Sequence, residues 1–218
     1  MQITRSRLLA VAFLVAATPA ASASQTIETN DVLLSAMSPF EDMVEFALAE
    51  SGSDISKTLV AADQHAADVK KALSASAADE FAVRMEGLHG AATAKDHHGV
   101  ARSAVEIFRL LIDNLQAKDL EVPKEVSLLD YAGFKLKVIA ATPRPDWHDI
   151  RKTVGEAAAW WNAIDSKVSE KGLRDALDTA VRGLVDATKL ENLPMLRFAA
   201  QIDLDLVDLL EGDLAPKR

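Results

Sequence analysis

The stretch DISKTLVAADQHAADVKKAL, residues 54–73, sets Ile55, Leu59, Ala62, Ala66, Val69 and Leu73 at steps of four and three. Those steps return to one face of a helix every 3.6 residues, and no period-two alternation competes with them. The same period runs on in both directions. Towards the amino end, Ser38-Pro39-Phe40-Glu41 has the form of a capping box with proline at the first helical position, predicting a short helix to about Ala49. Towards the carboxyl end, Phe81, Met85, Leu88 and Ala92 mark a third helix, and Asp96 caps a fourth that carries Val100, Ala104, Ile107, Leu111 and Leu115.

After KDLEVPKE the pattern begins again. Ser127-Leu128-Leu129-Asp130 takes the part of the first capping box, with Leu129, Ala132, Leu136 and Ile139 behind it. TPRPD breaks the chain, and Ile150, Val154, Ala157, Trp161, Ile164 and Val168 form the next stripe. Gly172 is expected to end that helix, Leu173 to Thr188 forms another, and Asn192 with Pro194 opens the last, which runs to about Glu211. Asp54-Ile55-Ser56-Lys57-Thr58 aligns with Asp149-Ile150-Arg151-Lys152-Thr153, and with one more residue of offset Asp96 falls on Asn192. The expected fold is therefore all-α: a tandem repeat of two four-helix up-and-down units, eight helices in all, spanning 25–118 and 119–218.

Residues 1–24 are read apart from the fold. Arg5 and Arg7 precede an apolar run from Leu8 to Ala17, followed by Ala21-Ser22-Ala23, the form of a cleaved secretory signal. That run is shorter than the about 20 apolar residues a membrane span needs, and none is expected in the mature chain. The expected location is periplasmic or secreted. With no cysteine there is no disulfide and no thiolate metal site, so the fold rests on packing. The net charge of -9, more negative still once Arg5 and Arg7 are removed, repels nucleic acid and favours cations or basic partners.

Chemistry is concentrated in LHGAATAKDHHG, residues 88–99, which holds three of the five histidines. In the alignment of the halves, His65, His89 and His97 stand where the second half has Trp160, Val185 and Leu193. Places that accept such residues are at least partly buried, and a buried imidazole needs a hydrogen-bond partner or a metal. Antiparallel helices with turns near Ser74 and Lys95 would bring His65, Met85, His89 and His97 into one layer, with Glu86, Asp96 and His98 at its edges. This set is the candidate metal site. Imidazole and thioether suit a transition metal, and the carboxylates alone would suit a harder cation.

Glu86-Gly87-Leu88-His89 matches the E-x-x-H of di-iron bundles, but those centres need a second copy, and the aligned residues are Arg182-Gly183-Leu184-Val185. No nucleophile or zinc-protease motif is present, so no catalytic residue is assigned and the chain is not expected to be an enzyme. The expected function is an exported metal-binding carrier or buffer. The alternative is a non-catalytic interaction module of the cell envelope, with an acidic surface and a groove containing Trp160, Phe134 and Asp203 that binds a protein partner. Asp203 replaces Ile107 at a core-facing place and is expected to pair with a Lys, Arg or hydroxyl, because a lone buried carboxylate is costly.

If the histidines hold a metal, His89→Ala should weaken it by about tenfold or more, while His148→Ala should change little. Titration of the metal-free protein with copper, zinc and nickel reads this directly. Affinity should also fall as pH drops through about 6.5, whereas ordinary carboxylates would hold a cation to about pH 4 to 5.

Overall fold

The structure, a computed structural model, describes residues 28–216. The signal-peptide reading falls on residues 1–24, outside the described residues. Eight α-helices follow one another: α1 (Ser38–Leu48), α2 (Gly52–Ala72), α3 (Ala75–Thr93), α4 (His97–Asp113), α5 (Lys124–Ala140), α6 (Trp147–Ile164), α7 (Lys171–Lys189) and α8 (Leu193–Leu214). Residues 28–35 are also helical, and short 3₁₀ turns occupy Ala117–Asp119 and Asp165–Lys167. No strand occurs among the described residues, and no helix there is long and apolar enough to cross a membrane.

Two helix starts are set by the side chains expected to set them: Asp96 accepts from the Gly99 N–H and Asn192 from that of Met195. Asp146, read from the sequence only as part of a chain break, caps α6 by accepting from the N–H groups of His148 and Asp149. Three starts differ from expectation. Ser38 lies inside α1, and the residue before it, Met37, is itself α-helical in φ and ψ with no side-chain cap. The chain enters α1 from the preceding helical segment, so no capping box is needed. Helix α5 begins at Lys124 behind Pro123, one turn ahead of Ser127. Gly172 opens α7 instead of ending α6, its N–H bonded to the capping carboxylate of Glu170.

The helices pack in two closed circuits. Helix α1 lies against α2 and α4, and α3 against α2 and α4; likewise α5 lies against α6 and α8, and α7 against α6 and α8. The circuits join where α5 meets α4 and, more lightly, α1. The turn from α3 to α4 and that from α7 to α8 are built alike. Lys95 and Glu191 adopt the left-handed conformation, with φ of 56° and 47°. The following residues, Asp96 and Asn192, donate their N–H to the carbonyls of Ala91 and Ala187.

The core is continuous through α5. Leu128, Tyr131, Phe134 and Val138 pack with Phe40, Phe81, Leu88, Ile107 and Phe108 of the first circuit. Val126, Leu129 and Ala132 pack with Trp161, Leu177 and Leu210, and Leu136 and Ala140 with Ile150, Leu184 and Leu196. Burial of each such large side chain contributes roughly 1.5–3 kcal/mol. Where α5 meets α8, Gly133 leaves room for Leu204: a Cβ added there would sit 2.6 Å from the leucine Cγ and Cδ2.

Gly133→Ala should therefore destabilise the protein by about 1–3 kcal/mol through overpacking. Gly87→Ala, on an exposed turn of α3 where nothing lies within 4 Å of the added carbon, should stabilise it by up to about 1 kcal/mol. Denaturant unfolding of the two variants should shift in opposite directions.

Candidate functional site

The aligned positions are half-buried in both halves: His65, His89 and His97 in the first, Trp160, Val185 and Leu193 in the second. The histidines nevertheless have separate surroundings. His89 on α3 makes a 2.9 Å contact through Nε2 with Oδ1 of Asp63 on α2. Met85 is buried in the first core, Glu86 points to solvent, and Asp96 is engaged as the α4 cap. His97 and His98 line a cavity of about 410 Å³ with Leu48 and Glu50 at the end of α1 and Thr142 in the turn after α5. Among the described residues, no group of three or more His, Asp or Glu is placed to hold a metal ion.

Carboxylates converge elsewhere. A cleft of about 600 Å³ opens between the segment 28–38, α1, the α4–α5 connection, α5 and α8. Asp31, Glu41, Asp119, Glu121, Asp130, Asp208 and Glu211 line it, interspersed with Leu34, Met37, Leu115, Leu120, Val122, Val126 and Val207. Among the described residues, no Lys, Arg or His lines it. One wall is pinned by Asn30, which is 2% exposed, donates to the Gln116 carbonyl at 3.1 Å and accepts from the Gln116 N–H at 2.8 Å.

Two carboxyls at the back of this cleft interact directly. Burial pushes Glu41 up to about 7, helped by the negative charges of Asp42, Glu211 and Asp208, while a hydrogen bond with Asp130 pulls the other way. Asp130 is raised well above the usual carboxylate range, first by burial and then by Glu41, Asp208, Asp203 and Glu211. Two carboxyls in contact, without a cation between them, cannot both ionise at ordinary cost and share a proton instead. Asp203, beneath the cleft on α8, is fully buried, and neither of its carboxyl oxygens has a hydrogen-bond partner. The expected Lys, Arg or hydroxyl partner is thus replaced by protonation, burial raising this carboxyl to about 7.

Sequence reasoning gave both Glu41 and Asp130 capping roles. The usable signal was the symmetry of the two boxes: Glu41 and Asp130 end the two S-x-x-E/D motifs. Because α1 runs on from the helical segment before it with no side-chain cap, and α5 starts three residues ahead of Ser127, both carboxyls are free of capping duty, and they meet where α1 touches α5.

At the other edge of the seam the chemistry is inverted. The Arg109 guanidinium lies 5.0 Å from the Tyr131 ring centroid and 5.2 Å from that of Trp160, whose ring packs against both the first core and the second. Lys135 bridges Glu106 at 3.6 Å and Asp149 at 3.3 Å. Every cation here has a carboxylate or aromatic partner, so this edge joins the circuits and leaves no charge for a ligand. Comparison with known proteins finds no matching family model, no matching curated protein and no matching solved structure.

Protonated Asp203 gives a stability prediction with a definite sign. Its folded value lies above its unfolded one, so the native state binds more protons between about pH 4 and 7 and stability falls as pH rises through that window. Asp203→Asn removes this dependence. The variant should exceed the parent by on the order of a few kcal/mol near pH 8, and the gap should close towards about pH 4.5. Equal gaps at the two pH values in chemical denaturation would contradict a neutral buried carboxyl.

Proposed function

We propose that the protein is an exported, non-catalytic carrier or buffer for a cation, taken into the acidic cleft between α1, α5 and α8. The observation that carries this reading is the convergence of seven acidic residues around one cavity, with no basic residue in its lining among the described residues. Lacking a counter-charge, Glu41 and Asp130 hold protons that an incoming cation would displace, so binding is an exchange of cation for proton. As no three carboxylates among the described residues are grouped to enclose a bare metal ion, the ligand that suits the cleft keeps its own water shell or spreads its charge. A hydrated hard divalent ion and an aliphatic polyamine both meet that condition. Export rests on the signal-like residues 1–24, with Arg5 and Arg7 ahead of the apolar run.

The two circuits are, in the same proposal, tandem four-helix repeats bounded near residue 118. Three features support duplication: the shared packing order, the like turns at Lys95 and Glu191, and the buried threonines Thr58 and Thr153 at aligned places. The pseudo-symmetric first helices then supply Glu41 and Asp130, one from each repeat.

A transition metal held by histidine is the second reading, favoured by His97, His98 and Glu50 lining one cavity. A lower affinity at acid pH does not separate the two, because Glu41 titrates near 7 as histidine does. Substitution does. Calorimetric titration with calcium, magnesium, zinc, copper and spermidine should show the double variant Glu41→Gln/Asp130→Asn losing about tenfold or more in affinity for calcium, magnesium or spermidine. His89→Ala/His97→Ala should leave those affinities unchanged. Zinc or copper binding lost only with the histidines would establish the second reading, and no binding of any of the five at millimolar concentration would remove both.

A further inference from the structure

The acidic cleft has an apolar character that its charge does not account for. Leu34 on its wall is 41% exposed, and Leu120 and Val122 are half-buried. On three elements an acid and an apolar residue stand about one helical turn apart, Asp31 with Leu34, Met37 with Glu41 and Val126 with Asp130, at spacings of three and four that return to one side of a helix. Leu120 lies between Asp119 and Glu121, and Val207 adjoins Asp208. Carboxyl groups and apolar carbons therefore alternate across the whole lining.

A hydrated metal ion matches only half of such a surface. Its water shell can donate to the carboxylates, but against Leu34, Leu120 and Val122 the same shell finds no acceptor. Ammonium groups joined by methylenes match both halves, the N–H groups donating to carboxyls and the methylenes leaving water against the apolar side chains. Two acids of the lining are also short of donors. Oδ2 of Asp119 is buried without a hydrogen-bond partner, with Lys118 Nζ 3.8 Å from it, and Asp130, deep in the wall, is bonded only to another acid, Glu41. The volume of about 600 Å³ falls within the roughly 300–1,000 Å³ of sites that hold small organic molecules. Among the described residues no aromatic side chain lines the cleft, so the cage that recognises a quaternary ammonium is absent and a donating ammonium is favoured.

Building on the cation-binding role proposed above, we infer that the cleft takes a linear aliphatic polyamine, with primary or secondary ammonium groups separated by short methylene runs, in preference to a hydrated metal ion. The ammonium groups sit on the carboxyls of α1, α5 and α8, and the methylenes between them cover Leu34 and Leu120.

The test is calorimetric titration of the whole mature protein at about 0.15 M salt, where diffuse attraction is screened. Cations of equal charge are compared: spermidine; hexaamminecobalt(III), which is compact and has no methylenes; end-blocked trilysine; and spermidine quaternised at every nitrogen, which cannot donate. Magnesium is titrated alongside. Spermidine should bind at least about tenfold more tightly than any of the others. Leu34→Ser/Leu120→Ser should weaken spermidine by about tenfold or more and hexaamminecobalt(III) by less than about twofold. Leu34→Ser alone, at an exposed position, should act in the same direction and serves if the double variant does not fold. Val83→Ser, on an exposed face of α3, should bind spermidine as the parent does. Magnesium or hexaamminecobalt(III) binding as tightly as spermidine, or weakened equally by the Leu34 variants, overturns the polyamine assignment and leaves the cation role standing, provided Glu41→Gln/Asp130→Asn still weakens them. Tighter binding of trilysine overturns it in favour of a basic peptide, and equal binding of the quaternised form overturns the need for N–H donors. No binding of any of these cations, or binding that Glu41→Gln/Asp130→Asn leaves unchanged, removes the cation role itself and the polyamine with it.

Discussion

Helix α5 has to be apolar on nearly every side. It packs on α4, α6 and α8 and touches α1, and its buried residues run from Val126 to Ala140 with few interruptions. A helix so placed can present polar groups only along the narrow lines where its neighbours part. Those lines hold Asp130 on one edge, in the cleft beside Glu41, and Lys135 on the other, between Glu106 and Asp149. The acidic cleft and the basic, aromatic seam are thus two outlets of one packing constraint. Gly133 belongs to the same account, for without its missing side chain α8 could not close over α5.

The electrostatic asymmetry follows from which groups find partners. Lys135 and Arg109 are compensated by carboxylates and rings within a few ångströms, so they can remain charged while half-buried. Among the described residues, Glu41, Asp130 and Asp203 have no cation opposite them, and they keep their protons to unusually high pH. A fold tolerates such groups because a neutral carboxyl is far cheaper to bury than a carboxylate. The cleft carboxyls border open space, which sets them apart from Asp203 below.

Helical periodicity was legible along the whole chain because the apolar stripes are long, and the side-chain caps at Asp96 and Asn192 were legible because each works through a single local hydrogen bond. The boxes at Ser38 and Ser127 misled for a physical reason. A capping motif shows that a helix start would be satisfied there, yet α1 follows the helical residues 28–35 with no side-chain cap, and the proline at 123 places the start of α5 three residues upstream of Ser127. Comparing the halves also put the histidines at half-buried depth without locating their neighbours. Asp63, the partner of His89, carries no mark in the sequence that sets it apart from other exposed acids. The meeting of Glu41 with Asp130 depends on how two helices 89 positions apart in sequence are docked, which no local pattern encodes.

The sharing of α5 among three cores also bears on the order in which the chain can fold. Leu128, Tyr131, Phe134 and Val138 complete the hydrophobic interior built by α1 to α4, so that interior stays open on one side until about residue 138 has been synthesised. A partial chain ending near residue 118 would expose Phe108 and Leu111 where α5 belongs. Its collapse would yield a loose intermediate, not a finished domain. Under the export proposed above, such a late-closing core would be an advantage: the polypeptide would stay threadable for longer, with tight packing deferred until both halves are present together.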